Sequence, residues 1–323
     1  MAPRRSSGGY FSSGPSCSSD AFATDSSRIY ISFYALYLVV SFALFFIACG
    51  RFSRNKRAGQ PSPGAIPLII SILFAIGTYL DQIIISVLSE CAISVDLLPG
   101  QIVSAWLSIL AEYILNAVIM IAICKKLLQL TSPIQGPALL AQWVVLGLIG
   151  LIMLAALGIN TAATVEIYNG SWSMQLGDNK LLQPQKALWT TYYTVSVVGI
   201  LMAASLLVRA LGRAPQYLRS GKLRLWIIIL LICALGFNLT NLGGYTSRAF
   251  IGTIISNSQY KYLQRSDQAV TFLQAFFYSA AFYAALGVAG VHVQGTEQYV
   301  QPVVESYNPP LVFSRYPDRD RDY

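Results

Sequence analysis

Seven separate stretches of about twenty apolar residues dictate what this chain becomes, because each is long enough to cross a hydrocarbon layer of about 30 Å as a helix. They fall at about 29–49, 65–88, 102–124, 139–161, 188–208, 225–247 and 269–291. The expected fold is all-α, a seven-transmembrane helix bundle over residues 29–292. Residues 1–28 read as a Ser- and Gly-rich disordered arm and 293–323 as a disordered tail with Pro302, Pro309, Pro310 and Pro317. Only 11% of the 323 residues are charged, against about a quarter in a soluble protein. The links between the stretches are short, so no separate soluble domain fits.

The net charge of +8 does not point to nucleic acid, because the cations sit beside the ends of the apolar stretches and form no basic face. They report orientation instead. One set of links carries Arg51, Arg54, Lys56, Arg57, Lys125, Lys126, Arg209, Arg213, Arg219, Lys222 and Arg224; the alternate set carries only Lys180, Lys186, Arg248, Lys261 and Arg265. The richer side is expected in the cytosol, with the N-terminus extracellular or lumenal and the C-terminus cytosolic. A glycosylation sequon, Asn169-Gly170-Ser171, falls in a long link on the outer side. A second, Asn238-Leu239-Thr240, lies within the sixth stretch and is expected to be unusable. Residues 1–28 lack an apolar core, so the first helix is expected to serve as the insertion signal rather than a cleaved peptide. No prenylation box ends the tail.

Five cysteines exclude a disulfide scaffold. Cys49, Cys124 and Cys233 read as small buried apolar residues. Cys17 and Cys91 both fall on the outer side, where they are either bridged or free.

Of fourteen carboxylates, only Asp81 and Glu112 lie well within apolar stretches. An ionised carboxylate near the bilayer centre costs about 2.5 kcal/mol or more, so such residues face the bundle interior and mark function. Counted from the outer ends, Asp81 lies roughly 10 Å deep and Glu112 roughly 15 Å. Consecutive helices therefore have the chance to bring the acids together. Other polar side chains gather in the same outer half: Tyr30, Tyr34 and Tyr37 on one face, Gln82, Asn116, Trp189, Tyr193, Asn238, Asn241, Gln274 and Tyr278. An outward-opening polar and aromatic cavity over a sealed aliphatic floor is expected, with Tyr34, Tyr37, Gln82, Asn116, Tyr193, Asn238, Asn241, Gln274 and Tyr278 as ligand contacts. Other readings stand beside this one. Tyr30 and Trp189 suit an interface belt, Asn238 and Asn241 suit interhelical hydrogen bonding, and Gly147, Gly150, Gly287 and Gly290 suit close helix contact.

Several chemistries are excluded. His292 is the only histidine, so multi-His metal sites cannot be built. No Asp-rich magnesium motif, P-loop or dinucleotide fingerprint is present, and the seventh stretch has no Lys for a retinal Schiff base. No metal or cofactor is expected.

Seven helices with the N-terminus outside resemble the topology of G-protein-coupled receptors, whose motifs are absent. The inner end of the third stretch reads Ile121-Ala122-Ile123-Cys124-Lys125 in place of an acidic-Arg-aromatic triplet, and the seventh has no Asn-Pro-x-x-Tyr. In size, helix count, short links and the intramembrane acids Asp81 and Glu112, the chain resembles the heptahelical membrane proteins of filamentous fungi. That set includes receptor-like proteins and membrane-bound terpene cyclases of secondary metabolism. The resemblance implies a multi-pass protein of the endoplasmic reticulum or plasma membrane that handles a lipophilic small molecule among membrane lipids. It assigns no residue a role and leaves protein partners open.

Two functions follow from the acids, the enzyme ranking first because the links are spare and receptor motifs are absent. In a metal-independent isoprenoid cyclase or isomerase, Glu112 donates the proton, because burial keeps a carboxylic acid protonated, and Asp81 accepts one or positions water. Faces of Tyr34, Tyr37, Tyr193 and Tyr278 then stabilise a carbocation, each by about 0.5–2 kcal/mol. In a receptor or sensor, the same acids pair with a cationic or hydroxylated ligand. A transporter ranks third, without an inverted repeat or matched helix breaks.

Overall fold

The computed structural model describes residues 17, 22, 24–57, 64–91, 98–125, 136–168, 182–213, 221–250 and 257–290. Among them the regular structure is entirely helical: α1 (Asp25–Arg57), α2 (Ala65–Glu90), α3 (Leu98–Ala117), α4 (Gly136–Tyr168), α5 (Leu182–Arg213), α6 (Lys222–Phe250) and α7 (Asn257–Ala289). A π-helical stretch, Val118–Ile123, continues α3. By length and composition all seven can cross a membrane, α3 together with its π-helical end. The Asn169 sequon and the tail from 293 lie outside the described residues.

Most of the helices overrun their apolar stretches by several residues. Water-facing turns at a membrane surface keep helical hydrogen bonds, and charges there settle the ends. Asp25 in the first turn of α1 and Arg54, Lys56 and Arg57 in its last oppose the helix dipole at each end.

The surface is inverted relative to a soluble protein. Val39, Phe46, Leu140 and Leu151 are each at least two-thirds exposed. Hydrocarbon solvates such side chains without penalty, whereas water would force them into aggregates.

Neighbours in sequence are neighbours in space. Each helix from α1 to α6 packs on the next, and α7 closes the ring against α1. The π-helical end of α3 also touches α4, α5 and α7, so α3 runs through the middle of the half of the bundle away from the start of α1. There Leu68, Ile72, Leu115, Ile119, Met120, Ile200, Ile227 and Phe282 are fully buried and form an aliphatic plug.

Small residues set the closest approaches. A Cβ on Gly287 would lie 2.5 Å from the Trp226 ring, and one on Gly236 2.8 Å from Phe277, so both α6–α7 contacts require glycine. A Cβ on Gly150 would lie 2.9 Å from the Tyr113 hydroxyl, and one on Gly290 3.3 Å from Arg51. Gly147 departs from the expectation of close contact: nothing lies within 4 Å of its Cβ position, because it faces outward on α4.

A disulfide joins Cys17 to Cys91, 74 residues apart, and fastens the N-terminal arm to the end of α2. The Phe22 amide adds a bond to Glu90 Oε2 at 3.1 Å. Cys124 and Cys233 are buried, and Cys49 is half-buried.

Candidate ligand cavity

Helical periodicity turns one polar face of each of several helices toward a common space. On α3, Gln101, Ser104, Ala105, Ser108, Ala111 and Glu112 recur at three- and four-residue steps and line a cavity of about 410 Å³. Tyr34 and Tyr37 of α1, Thr78, Tyr79 and Gln82 of α2, Phe237 and Arg248 of α6, and Gln274 and Tyr278 of α7 complete it. The volume lies in the range of small-molecule pockets. A second space of about 500 Å³ shares Tyr34, Arg248 and Thr271 with it and is walled by Thr24, Ser26, Ser27, Glu90, Gln264 and Asp267. These residues lie at the end of the bundle where α1 begins, so the second space is a polar vestibule over the first.

Glu112 sits toward the deep end. Asn241 Nδ2 donates to its Oε2 at 3.1 Å and is its one hydrogen-bond partner among the described residues. Tyr79, Tyr192, Tyr193 and Tyr278 all lie within electrostatic reach of the carboxyl group. The aromatic walls are anchored from behind. Tyr37 stacks on Tyr79 with centroids 6.2 Å apart and donates its hydroxyl to the Phe272 carbonyl at 3.3 Å. Tyr278 packs its ring on Phe237 at 5.7 Å, while its hydroxyl meets Ser71 Oγ at 2.8 Å. Ser71 passes its own proton to the Ala111 carbonyl at 2.8 Å.

The mouth is organised by charge. Arg248 forms an ion pair with Asp267, which also accepts from the Tyr30 hydroxyl at 2.7 Å. Gln264 and Gln268 both donate to Ser26, joining α7 to the start of α1.

Of the residues expected from sequence, Glu112, Tyr34, Tyr37, Gln82, Gln274 and Tyr278 share the cavity. Asp81 is placed elsewhere. The cavity arc of α2 runs through Ala75, Thr78, Tyr79 and Gln82, and at about 100° per residue Asp81 falls roughly 60° outside it. It lies in the α2–α3 seam within interaction distance of Ser104, itself the acceptor of Gln82 Nε2 at 2.7 Å. Asp81 is not among the residues that line the cavity with Glu112, so the expected sharing of one chamber is not seen there, although its neighbour Ser104 does line it.

Asn116 and Asn238 also lie off the cavity, buried and hydrogen-bonded to each other in both directions at 3.3 Å. Asn241 reaches the site only through Glu112. Tyr193 stacks on Trp189, with ring centroids 5.8 Å apart, within a cluster that includes Tyr192 and Tyr245 and stands outside the lining. Trp189 is 6% exposed, so it belongs to this cluster and not to an interface belt. Tyr30 is likewise engaged in the vestibule.

Sequence reasoning missed Tyr79, Gln101, Ser104, Arg248 and Asp267. Tyr79 was available from the i, i+3 step to Gln82. Arg248 and Asp267 sit at the margins of apolar stretches, where a charge reads as a loop residue.

Among the described residues, no three His, Cys, Asp or Glu side chains gather as a metal site would need. Comparison with known proteins adds no relative: no family model matches the chain, and neither curated proteins nor solved structures give a significant match.

Proposed function

We propose that this multi-pass membrane protein is a heptahelical receptor or sensor that takes one small molecule into its cavity from the extracellular or lumenal side. The carrying observation is a one-ended chamber with a polar mouth, aromatic walls and a single acid, Glu112, toward its deep end. Beneath it the chamber is closed by the buried apolar side chains of the plug. The polar vestibule suits a guest arriving from water better than a long isoprenoid entering from lipid. The Cys17–Cys91 bridge supports an outward N-terminus, because disulfides persist in oxidising compartments.

Purified protein screened against a small-molecule library by thermal shift tests this reading. Hits should disappear in Ala105→Trp, which fills the cavity, and persist in Val39→Phe on the lipid face. Hits indifferent to Ala105→Trp would overturn it.

A second reading is a metal-independent cyclase or isomerase, favoured by the rings of Tyr37, Tyr79, Phe237 and Tyr278 around a potential proton donor. Asp81 is then not the proton acceptor. Membranes given polyprenyl epoxides should form rearranged products, lost in Glu112→Gln while binding remains. Absence of product across the panel leaves the receptor reading in possession.

A further inference from the structure

We infer that the guest is an organic cation, an amine or quaternary ammonium carried on an apolar or aromatic body, seated between Glu112 and the tyrosine rings. This rests on the cavity being a binding site and goes on to name what it binds.

Charge balance comes first. The two connected spaces are lined by the carboxylates Glu112, Glu90 and Asp267 and by one guanidinium, Arg248. Arg248 is already paired with Asp267. Within the deep space Glu112 has no cationic partner, only the Asn241 amide. Among the described residues an entering cation meets no unpaired positive charge in the lining, and it completes an ion pair at the deep end. An anion would have to displace Asp267 from Arg248 and would then lie in the same chamber as the acid.

The use of donors points the same way. Tyr37 donates to the Phe272 carbonyl, Tyr278 is engaged with Ser71, and Gln82 Nε2 with Ser104. Each of these three donors already has a protein partner; Tyr34, Tyr79, Gln101, Ser108 and Gln274 line the cavity as well. Tyr37, Tyr79, Tyr278 and Phe237 bring aromatic rings to the lining, and a ring face attracts a cation within about 6 Å. Tyr79 and Tyr278 both line the cavity and lie in electrostatic reach of Glu112, so ring and acid act on the same volume. An acid without a cationic partner, set beside aromatic rings, discriminates for positive charge over a neutral or anionic guest.

Three matched series test this on full-length protein in nanodiscs: phenylalkyl trimethylammonium salts, phenylalkyl alcohols and phenylalkyl carboxylates of equal chain length, titrated by calorimetry. The ammonium series should bind at least about tenfold tighter than the alcohols, with the carboxylates weakest. That preference should collapse in Glu112→Gln and weaken in Tyr79→Leu, while Tyr79→Phe keeps it because the ring remains. The Tyr79 pair decides the matter even if Glu112→Gln fails to fold. Alcohols binding as tightly as ammonium salts would overturn the cation assignment and leave the cavity reading intact. Binding by no series, or binding indifferent to Ala105→Trp, would remove the cavity reading and this inference with it.

Discussion

Asn116 and Asn238 show how a polar side chain deep in a membrane protein can be structural. Each amide both donates to and accepts from the other, and Asn238 adds a bond to the Ala234 carbonyl at 2.8 Å. Either Asn→Leu change should lower thermal stability by about 1 kcal/mol, because it strands the partner amide in an apolar interior. The double variant should cost less than the sum, and a double-mutant cycle on unfolding midpoints would reveal the coupling; strict additivity would sink the pairing. Asn241→Leu should weaken the fold by about 1–3 kcal/mol, since it removes Glu112's hydrogen-bond partner. Position along each helix was legible at this scale and angle was not. Counting from helix ends placed Glu112 and Asp81 in the outer half, but sorting cavity faces from seams needed the phase of α2 against its neighbours.

Helix length follows from the bilayer, so the seven elements were legible, while their ends and internal irregularities depend on packing. The π-helical turn at Val118–Ile123 sits in an aliphatic run, VIMIAI, without Gly or Pro to announce it. It coincides with the point where α3 meets α4, α5 and α7 together. Glycine contacts divide in the same way, since sequence offers the small residue and only the partner helix decides its use. Gly287→Ala should cost about 1–3 kcal/mol, because the added methyl meets the rigid indole of Trp226. Gly147→Ala should stay within about 0.5 kcal/mol of the parent, since its Cβ position is open. Unfolding temperatures of both variants in one detergent would check the contrast.

The complete bundle is a closed ring, tied at one end by a covalent link between distant parts of the chain. Sequence left the pairing of Cys17 with Cys91 open, because two outer cysteines carry no record of which segments fold together. Trypsin cleavage between α1 and α2, at Arg54 to Arg57, should yield fragments that separate on a gel only after reductant is added. Separation without reductant would exclude the bridge. Orientation has its own check: the expressed protein should lose mass on glycosidase treatment, and Asn169→Gln should abolish that loss. An unmodified Asn169 with a glycan-accepting tag on the tail would invert the topology.

In the receptor reading proposed above, the plug under Glu112 constrains how an occupied cavity is read out. In that reading the signal reaches the opposite face as displaced helices, and α3 is best placed to carry it: the segment bearing the acid is the one that threads the centre of the far half.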